Sequence, residues 1–208
     1  MKIAIIGAGG GIGLQTVIQA LDKGHKTTAL SRDTSTIPNH KLLTKINGSA
    51  TSVSDLKQTI KNKDAVLITV GTKNKKNVTL FSEIANAIIQ ATDEMNFTSP
   101  VITITGFGSG KSSNYLNFFM RIAIKFFLKE QYINKTLMEE LLAKSSIKWE
   151  IVRPGMLTNR TLTKSYKVLP ELEKGMKVNR ISRKDVAHFL LSEAEKPEFI
   201  HNYVALTS

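Results

Sequence analysis

Short apolar runs rich in β-branched residues alternate along the chain with longer stretches of helical periodicity. The runs are IAII at 3–6, TTAL at 27–30, AVLITV at 65–70, VITIT at 101–105, WEIV at 149–152 and NYVAL at 202–206. Strands that are apolar at nearly every position are typical of a parallel sheet covered by helices on both faces. The pattern therefore predicts an α/β fold with a doubly wound parallel sheet.

The intervening stretches predict five helices. They are expected at 11–23, 53–62, 78–95, 114–145 with a break near Lys129, and 182–195. No repeat or Pro/Gly-rich linker divides the chain, so we predict a single domain over residues 1–208. The least regular segments, 106–130 and 157–180, both follow strand ends, where open α/β sheets bind ligands. We expect these two segments to form the substrate side of a site.

A glycine-rich turn connects the first predicted strand to the first predicted helix. It contains Gly7, Gly9, Gly10, Gly11, Ile12 and Gly13. Glycines permit positive φ and let backbone N–H groups approach a pyrophosphate, and the helix N-terminus favours an anion. In this position the turn predicts a dinucleotide-binding site, with Gly13 allowing the helix to pack closely on the strand. A turn needed for packing alone is the alternative.

The end of the second predicted strand indicates which dinucleotide is bound. NAD enzymes place a carboxylate there for the ribose 2′-OH, but this chain has Ser31 and Arg32. A guanidinium can pair bidentately with a 2′-phosphate and stack on adenine. We therefore predict NADP rather than NAD, the alternative being that Arg32 is a solvated loop charge.

Further cofactor contacts are expected from the loop after the fourth strand. Gly71 and Thr72 would lie over the ribose and pyrophosphate, because Gly71 permits close approach. Lys73 either attracts the phosphates or is simply exposed. Next to the nicotinamide we expect Thr105 and Gly106 at the end of the fifth strand. At the end of the sixth strand, the residues expected to line the same pocket are Arg153, Pro154, Gly155 and Met156.

Catalytic residues are harder to assign, because the chain lacks the Tyr-x-x-x-Lys pair of many short-chain dehydrogenases. Tyr132 and Lys135 are three positions apart and could form a degenerate pair on one helical face. Alternatively, Tyr132 is an ordinary helix residue and Lys135 a ribose contact or a solvated charge. Thr105 could donate a hydrogen bond to a substrate carbonyl, or could be only a β-branched residue at a strand end.

Substrate contacts are predicted on the same edge of the sheet. Phe107 could supply a stacking face, and Asn159 and Arg160 begin a basic loop that would attract an anionic substrate. The expected substrate is a small molecule that is anionic or aromatic. Flavins and linear tetrapyrroles are examples that tolerate protonation by solvent.

Composition excludes several chemistries. The 208 residues include no Cys, so there is no disulfide, thiolate metal site or cysteine nucleophile, and four scattered His without an H-x-x-x-H pair argue against a metal site. No apolar segment approaches the length of a membrane span, and the N-terminal run is too short for a signal peptide, so we expect a cytoplasmic protein.

The formal charge of +12, from 29 Lys+Arg against 17 Asp+Glu, indicates anionic partners. Local excesses of basic residues occur at Lys73, Lys75, Lys76, Arg160, Lys164, Lys167, Lys174, Lys177, Arg180, Arg183 and Lys184. No motif for specific nucleic-acid binding accompanies them.

Residues 114–129, NYLNFFMRIAIKFFLK, form a basic amphipathic stretch. Three roles are open for it: a lid over the substrate, core packing or a dimer face, and association with a membrane surface.

The chain resembles atypical short-chain dehydrogenases, most closely the flavin reductase/biliverdin-IXβ reductase group and its NmrA-like relatives. The resemblance spans essentially the whole chain and is carried by IAIIGAGGGIGLQTV, TTALSRDTSTIP, DAVLITVGTKN, VTLFSEIANAII, SSIKWEIVRPGMLT and RISRKDVAHFLL. It implies an NADP-binding Rossmann monomer that reduces flavins, tetrapyrroles or quinones by hydride transfer.

One departure from these relatives concerns the adenine side. They often carry an Asp after the third strand, where this chain has Gly48, Ser49 and Ala50, so Ser49 and Ala50 are expected near the adenine. A redox-sensing branch of the same relatives binds NADP without turnover. Three functions therefore stay open: an NADPH-dependent reductase, a non-catalytic NADP sensor, and a nucleic-acid or membrane binder suggested by charge alone.

Overall fold

A computed structural model of the chain describes residues 1–173 and 175–208, and it places a mostly parallel sheet between two layers of helices. Lys174, one of the basic residues noted above, lies outside the described residues. The strands are β1 Lys2–Ile6, β2 Lys26–Ser31, β3 Leu43–Asn47, β4 Ala65–Ile68, β5 Val101–Ile104, β6 Trp149–Pro154, β7 Met156–Thr158, β8 Lys167–Leu169, β9 Arg180–Ser182 and β10 Tyr203–Thr207.

The main sheet has eight strands in the order β3-β2-β1-β4-β5-β6-β10-β8, and only β8 runs antiparallel to its neighbour. The predicted doubly wound α/β fold is confirmed. The chain order reverses between β1 and β4, so a crevice opens there at the carboxyl ends of the strands.

Six α-helices connect the strands in the part of the chain that the structure describes. They are α1 Gly11–Asp22, α2 Val53–Ile60, α3 Leu80–Glu94, α4 Phe118–Ala123, α5 Lys129–Lys144 and α6 Arg183–Glu195. A 3₁₀ turn covers Gly110–Tyr115, and a π-helical turn, Ile124–Leu128, joins α4 to α5. The predicted break near Lys129 is confirmed. The predicted helix start at 114 is wrong, because Asn117 caps α4 by accepting a hydrogen bond from the Met120 N–H (2.8 Å).

Both faces of the sheet are buried. Ile3 and Ile5 of β1 pack with α1 and α6, whereas Ala4 and Ile6 pack with α2, α3 and α5. Side chains on both faces of the sheet pack against helices, so the strands are apolar at nearly every position instead of alternating between apolar and polar. The short strands β7, β8 and β9 were not predicted, since three-residue strands in a polar segment leave no periodic pattern.

A buried carboxyl group lies between the sheet and α6, at the end opposite the crevice. Glu150 on β6 has no exposed surface, and no N–H or O–H group among residues 1–173 and 175–208 donates to either of its oxygens. Burial, together with the neighbouring charge of Glu193, raises the pKa of Glu150 to about 9. The folded protein therefore holds a proton at neutral pH that the unfolded chain releases.

This proton makes stability depend on pH. The free energy of unfolding should fall as pH rises between the ordinary Glu range and about 9, by at most about 1.4 kcal/mol per pH unit. Glu150→Gln should lose this slope, whereas the exposed Glu171→Gln should keep it. Urea unfolding at pH 6 and pH 8 measures both, and an unchanged slope in Glu150→Gln would contradict the assignment.

Candidate functional site

The crevice at the switch between β1 and β4 is a cleft of about 890 Å³. Most residues predicted to bind a cofactor line it: Gly7, Gly9, Gly10, Gly11, Ile12, Ser31, Arg32, Ser49, Ala50, Gly71, Thr72, Lys73, Thr105 and Lys135. They come from the carboxyl ends of β1 to β5 and from α5. Segments far apart in sequence thus meet at one open edge of the sheet.

The glycine turn has the geometry of an anion-binding loop. Gly7 and Gly11 adopt φ values of +86° and +54°, which favour glycine. A Cβ on Gly13 would overlap the Gly7 carbonyl oxygen, whereas a Cβ on Gly10 would meet no atom of the described part of the chain within 4 Å. The space in front of Gly10 is therefore open, and the first turn of α1 carries no acidic residue that would occupy its free N–H groups.

The end of β2 closes one side of this loop. The Gly7 N–H donates to the Leu30 carbonyl (2.9 Å), and the Thr36 hydroxyl donates to the Gly9 carbonyl (2.7 Å). Arg32 is exposed and lines the cleft beside the turn. The Asp33 carboxylate accepts the Ser35 N–H (2.8 Å), and hydrogen bonding from the side chain and then the backbone of Ser35 lowers the pKa of Asp33. The Arg32 guanidinium thus lies at the end of β2, the position at which NAD enzymes have a carboxylate.

The loop after β3 is supported by a carboxylate from α2. The Ser49 N–H donates to Oδ2 of Asp55 (2.8 Å), and a Cβ on Gly48 would crowd the same carboxylate. Asp55 therefore stands beside the turn in which the relatives often carry an Asp. The sequence pattern had not indicated this residue, because it lies in the first turn of a helix.

Lys135 reaches the cleft from α5. Its Nζ donates to the Thr105 carbonyl (2.7 Å), and burial lowers the pKa of Lys135 to about 8. The Nζ atom also lies 5.1 Å from the centre of the Tyr132 ring. A Cβ on Gly106 would come 3.1 Å from the Tyr132 hydroxyl, so glycine leaves room for this pair. Lys135 and Tyr132 are neighbours, but only Lys135 lines the cleft.

Thr105 takes part in a buried hydrogen-bond network. Its hydroxyl donates to Oε1 of Glu139 (2.6 Å), and Arg153 donates to both oxygens of that carboxylate from Nε and Nη2 (3.1 and 2.6 Å). Glu139 and Arg153 are 2% and 4% exposed. The single hydroxyl proton of Thr105 is therefore committed to Glu139, and this arrangement does not place it to donate to a substrate carbonyl as predicted. Arg153 is committed to the same network.

Other predicted residues lie away from the cleft. Phe107 is 3% exposed and packs on Leu116 and Ile124, so it has no free face for stacking, and that expectation is corrected. Gly106, Arg153, Pro154, Gly155, Met156, Asn159 and Arg160 do not line the cleft in the described part of the chain. Buried contacts occupy the end of β6, where a Cβ on Gly155 would overlap the Asn179 carbonyl oxygen.

Arg183 is a cleft residue that sequence reasoning missed. Its Nη1 donates to Oδ1 of Asn159 (2.8 Å), and its Nε lies 3.9 Å from the Cβ position of Gly11. The Ser182 cap, which accepts the Asp185 N–H (2.9 Å), fixes the start of α6 beside the glycine turn. A helix at 182–195 was predicted from the sequence, but its packing on α1 was not.

A second cavity of about 760 Å³ lies on the other side of Tyr132. Its lining includes Gly108, Gly110, Lys111, Ser113, Ile124, Lys129, Tyr132, Ile133, Thr136, Glu139, Arg153, Leu169, Pro170, Leu172 and Tyr203. Parts of the two predicted substrate-side segments, 106–130 and 157–180, thus frame this cavity, whereas Leu157 of the second segment lines the first cleft.

Membrane-spanning helices and metal-binding clusters are both absent from the described residues. None of the helices that the structure describes combines the length and apolar character needed to cross a membrane. Within residues 1–173 and 175–208, no group of three or more His, Asp or Glu side chains is arranged to hold a metal ion.

Fold and cleft together define a Rossmann-type protein with a dinucleotide-binding edge. Residues 7–197 match the model of the NAD(P)H-binding family, and the chain belongs to that family. The predicted NAD(P)-binding class is confirmed.

Solved structures of similar fold cover the whole of this chain. A short-chain dehydrogenase/reductase from Veillonella parvula in complex with NADP has 19% identity and a TM-score of 0.85 over 94% of its length. ChuY, an anaerobilin reductase from Escherichia coli O157:H7, has 21% identity and a TM-score of 0.81 over 97%. SP1627 from Streptococcus pneumoniae, a candidate NADH-flavin reductase, has 22% identity and a TM-score of 0.77 over 99%. At these identities the likeness establishes the fold.

Proposed function

We propose that this protein is an NADPH-dependent reductase that transfers hydride to a flavin, a quinone or a related conjugated small molecule. The observation that carries the proposal is the cleft itself. It joins the open N-terminus of α1 at Gly10, a guanidinium at the end of β2, and the Lys135 ammonium at the end of β5. When bound, the dinucleotide supplies the hydride.

The residues present fit a phosphorylated dinucleotide. The free N–H groups behind Gly10 and Gly11 would hold a pyrophosphate, with Arg183 adding positive charge at the same turn. Arg32 would pair with a 2′-phosphate, a contact that the unphosphorylated dinucleotide lacks. The Veillonella relative solved with NADP supports this choice.

An anionic or aromatic substrate fits the same edge. Lys73, Lys135 and Arg183 line the cleft, and the acidic Asp33 and Glu83 lie among its other lining residues. The names of ChuY and SP1627, which refer to a bilin and a flavin, support substrates of this kind. We propose that Lys135 positions the substrate or the ribose, and that the protein acts as a cytoplasmic monomer.

A second candidate is a non-catalytic NADP sensor. It is favoured by the hydroxyl of Thr105, which is bound to Glu139, and by Tyr132, which faces the second cavity. Both observations leave few proton donors in the cleft. A sensor would bind a protein partner in a dinucleotide-dependent way, so pull-downs that NADP does not change would count against it.

The reductase proposal is tested by anaerobic mixing of the protein and NADPH with FMN, a quinone and biliverdin. We expect oxidation of NADPH with at least one acceptor. If none is reduced faster than with heat-inactivated protein, the proposal fails.

Cofactor choice is tested by Arg32→Ala. The loss of a charge-assisted bidentate pair should weaken NADPH binding about 10-fold to 100-fold, with little effect on NADH. Fluorescence titration of both dinucleotides measures the difference. Lys41→Ala, an exposed cation outside the cleft, is the control. Equal losses for NADPH and NADH would refute the role of Arg32.

A further inference from the structure

The segment between β5 and α5 exposes an unusual cluster of large apolar side chains. Phe118, Phe119, Phe126 and Phe127 are 69%, 81%, 69% and 61% exposed. Ile122 and Ile133 add to this aromatic surface, which is built on α4, the π-helical turn and the start of α5. Single exposed apolar residues are ordinary, whereas several neighbouring phenylalanine rings in water mark a surface that binds something apolar.

Positive charge surrounds the aromatic surface. Lys125 Nζ lies 5.8 Å from the centre of the Phe126 ring, and Lys75 Nζ lies 5.9 Å from that of Phe127. The two segments that carry these residues, 65–82 and 95–129, contain no Asp or Glu. Their basic residues are Lys73, Lys75, Lys76, Lys111, Arg121, Lys125 and Lys129. The partner is therefore expected to be apolar and anionic at once.

We propose that the aromatic surface docks on an anionic lipid bilayer. Phenylalanine rings on a short helix can enter the boundary between headgroups and acyl chains, while lysines and arginines beside them contact lipid phosphates. This interaction is independent of the reductase activity proposed above. Ile133 of this surface also lines the second cavity, as do the buried Ile124 and the adjacent Lys129, so docking would bring that cavity close to the lipid surface.

Two other occupants fit less well. A second copy of the chain would bring one net charge of +12 against another, with the like-charged segments facing each other. Single-stranded nucleic acid is normally bound in a groove that follows its backbone, with bases stacked along it. Here the rings lie exposed on a helix and a turn, outside the cleft and the second cavity described above.

The test is co-sedimentation of the full chain with vesicles of phosphatidylcholine alone and of equal parts phosphatidylcholine and phosphatidylglycerol. We expect the wild type to bind the anionic vesicles and to be released by salt. Phe119→Ser/Phe126→Ser and Arg121→Glu/Lys125→Glu should each bind roughly tenfold more weakly or worse. The controls Ile18→Ser and Lys61→Glu, at exposed positions on α1 and after α2, should bind as the wild type does.

Urea unfolding shows whether each variant is folded without relying on the proposed cofactor, and none of the changed residues lines the cleft. Three results would overturn the proposal. The first is no binding of the wild type to anionic vesicles at low salt. The second is equal binding by the wild type and both surface variants. The third is tighter binding of the wild type to single-stranded DNA than to the anionic vesicles, or a wild-type dimer that the Phe variants dissociate.

Discussion

Gly10→Leu is expected to weaken NADPH binding about 100-fold while changing the free energy of unfolding by less than about 1 kcal/mol. Gly10 has extended backbone, with φ −176°, and no atom of residues 1–173 or 175–208 lies within 4 Å of its Cβ position. The fold therefore has room for a side chain there. The same space lies over the N–H groups of α1, so leucine would occupy the site that we assign to phosphate. Fluorescence titration and urea unfolding measure the two quantities.

Gly13→Val is the matched comparison in the same turn. Its Cβ would overlap the Gly7 carbonyl oxygen and push α1 away from β1. We expect this change to cost about 2 kcal/mol or more of stability. Tight NADPH binding by a well-folded Gly10→Leu would show that the anion site is elsewhere.

Lys135→Met should lower kcat/KM about 100-fold and alter the pH dependence of the reaction. Methionine keeps the unbranched chain that lies near Phe81 but removes the ammonium bound to the Thr105 carbonyl. Because burial lowers the pKa of Lys135 to about 8, the wild type loses this charge as pH rises through that value. We therefore expect kcat/KM to fall above about pH 8 in the wild type and to be flat there in the variant.

Lys144→Met, at the exposed end of α5, should keep the wild-type rate and pH profile. The role of Lys135 would be refuted by a variant that retains the wild-type rate, or by an alkaline fall that persists unchanged in Lys135→Met. The pH profile distinguishes a charge acting in the cleft from a general loss of packing.

The fold and half of the cleft residues could be predicted because local sequence patterns determine both. Apolar runs define buried strands, and Gly7 to Gly13 directly after the first strand define a phosphate-binding turn. Cleft residues next to strand ends, such as Arg32 and Lys73, followed from the rule that ligands bind at the carboxyl edge. In each case position along the chain determined position in space.

The remaining residues could not be assigned because their roles depend on distant partners. Thr105 looked free at a strand end, but its hydroxyl donates a hydrogen bond to Glu139, which lies 34 positions along the chain. Phe107 looked like a stacking face, but the helical segment after it covers the ring. Arg183 looked like one charge among many, and only the packing of α6 on α1 brings it to the glycine turn. Sequence periodicity indicates which positions are buried, but it does not indicate which side chains contact each other.

The most direct test of the central claim is the rate of anaerobic NADPH oxidation with FMN, a quinone or biliverdin by the wild type and by Gly10→Leu, measured side by side. We expect the wild type to oxidise NADPH only when an acceptor is present. In Gly10→Leu we expect this rate to be about 100-fold lower at subsaturating NADPH. Equal rates for the two proteins, or no oxidation by the wild type above heat-inactivated protein, would contradict it.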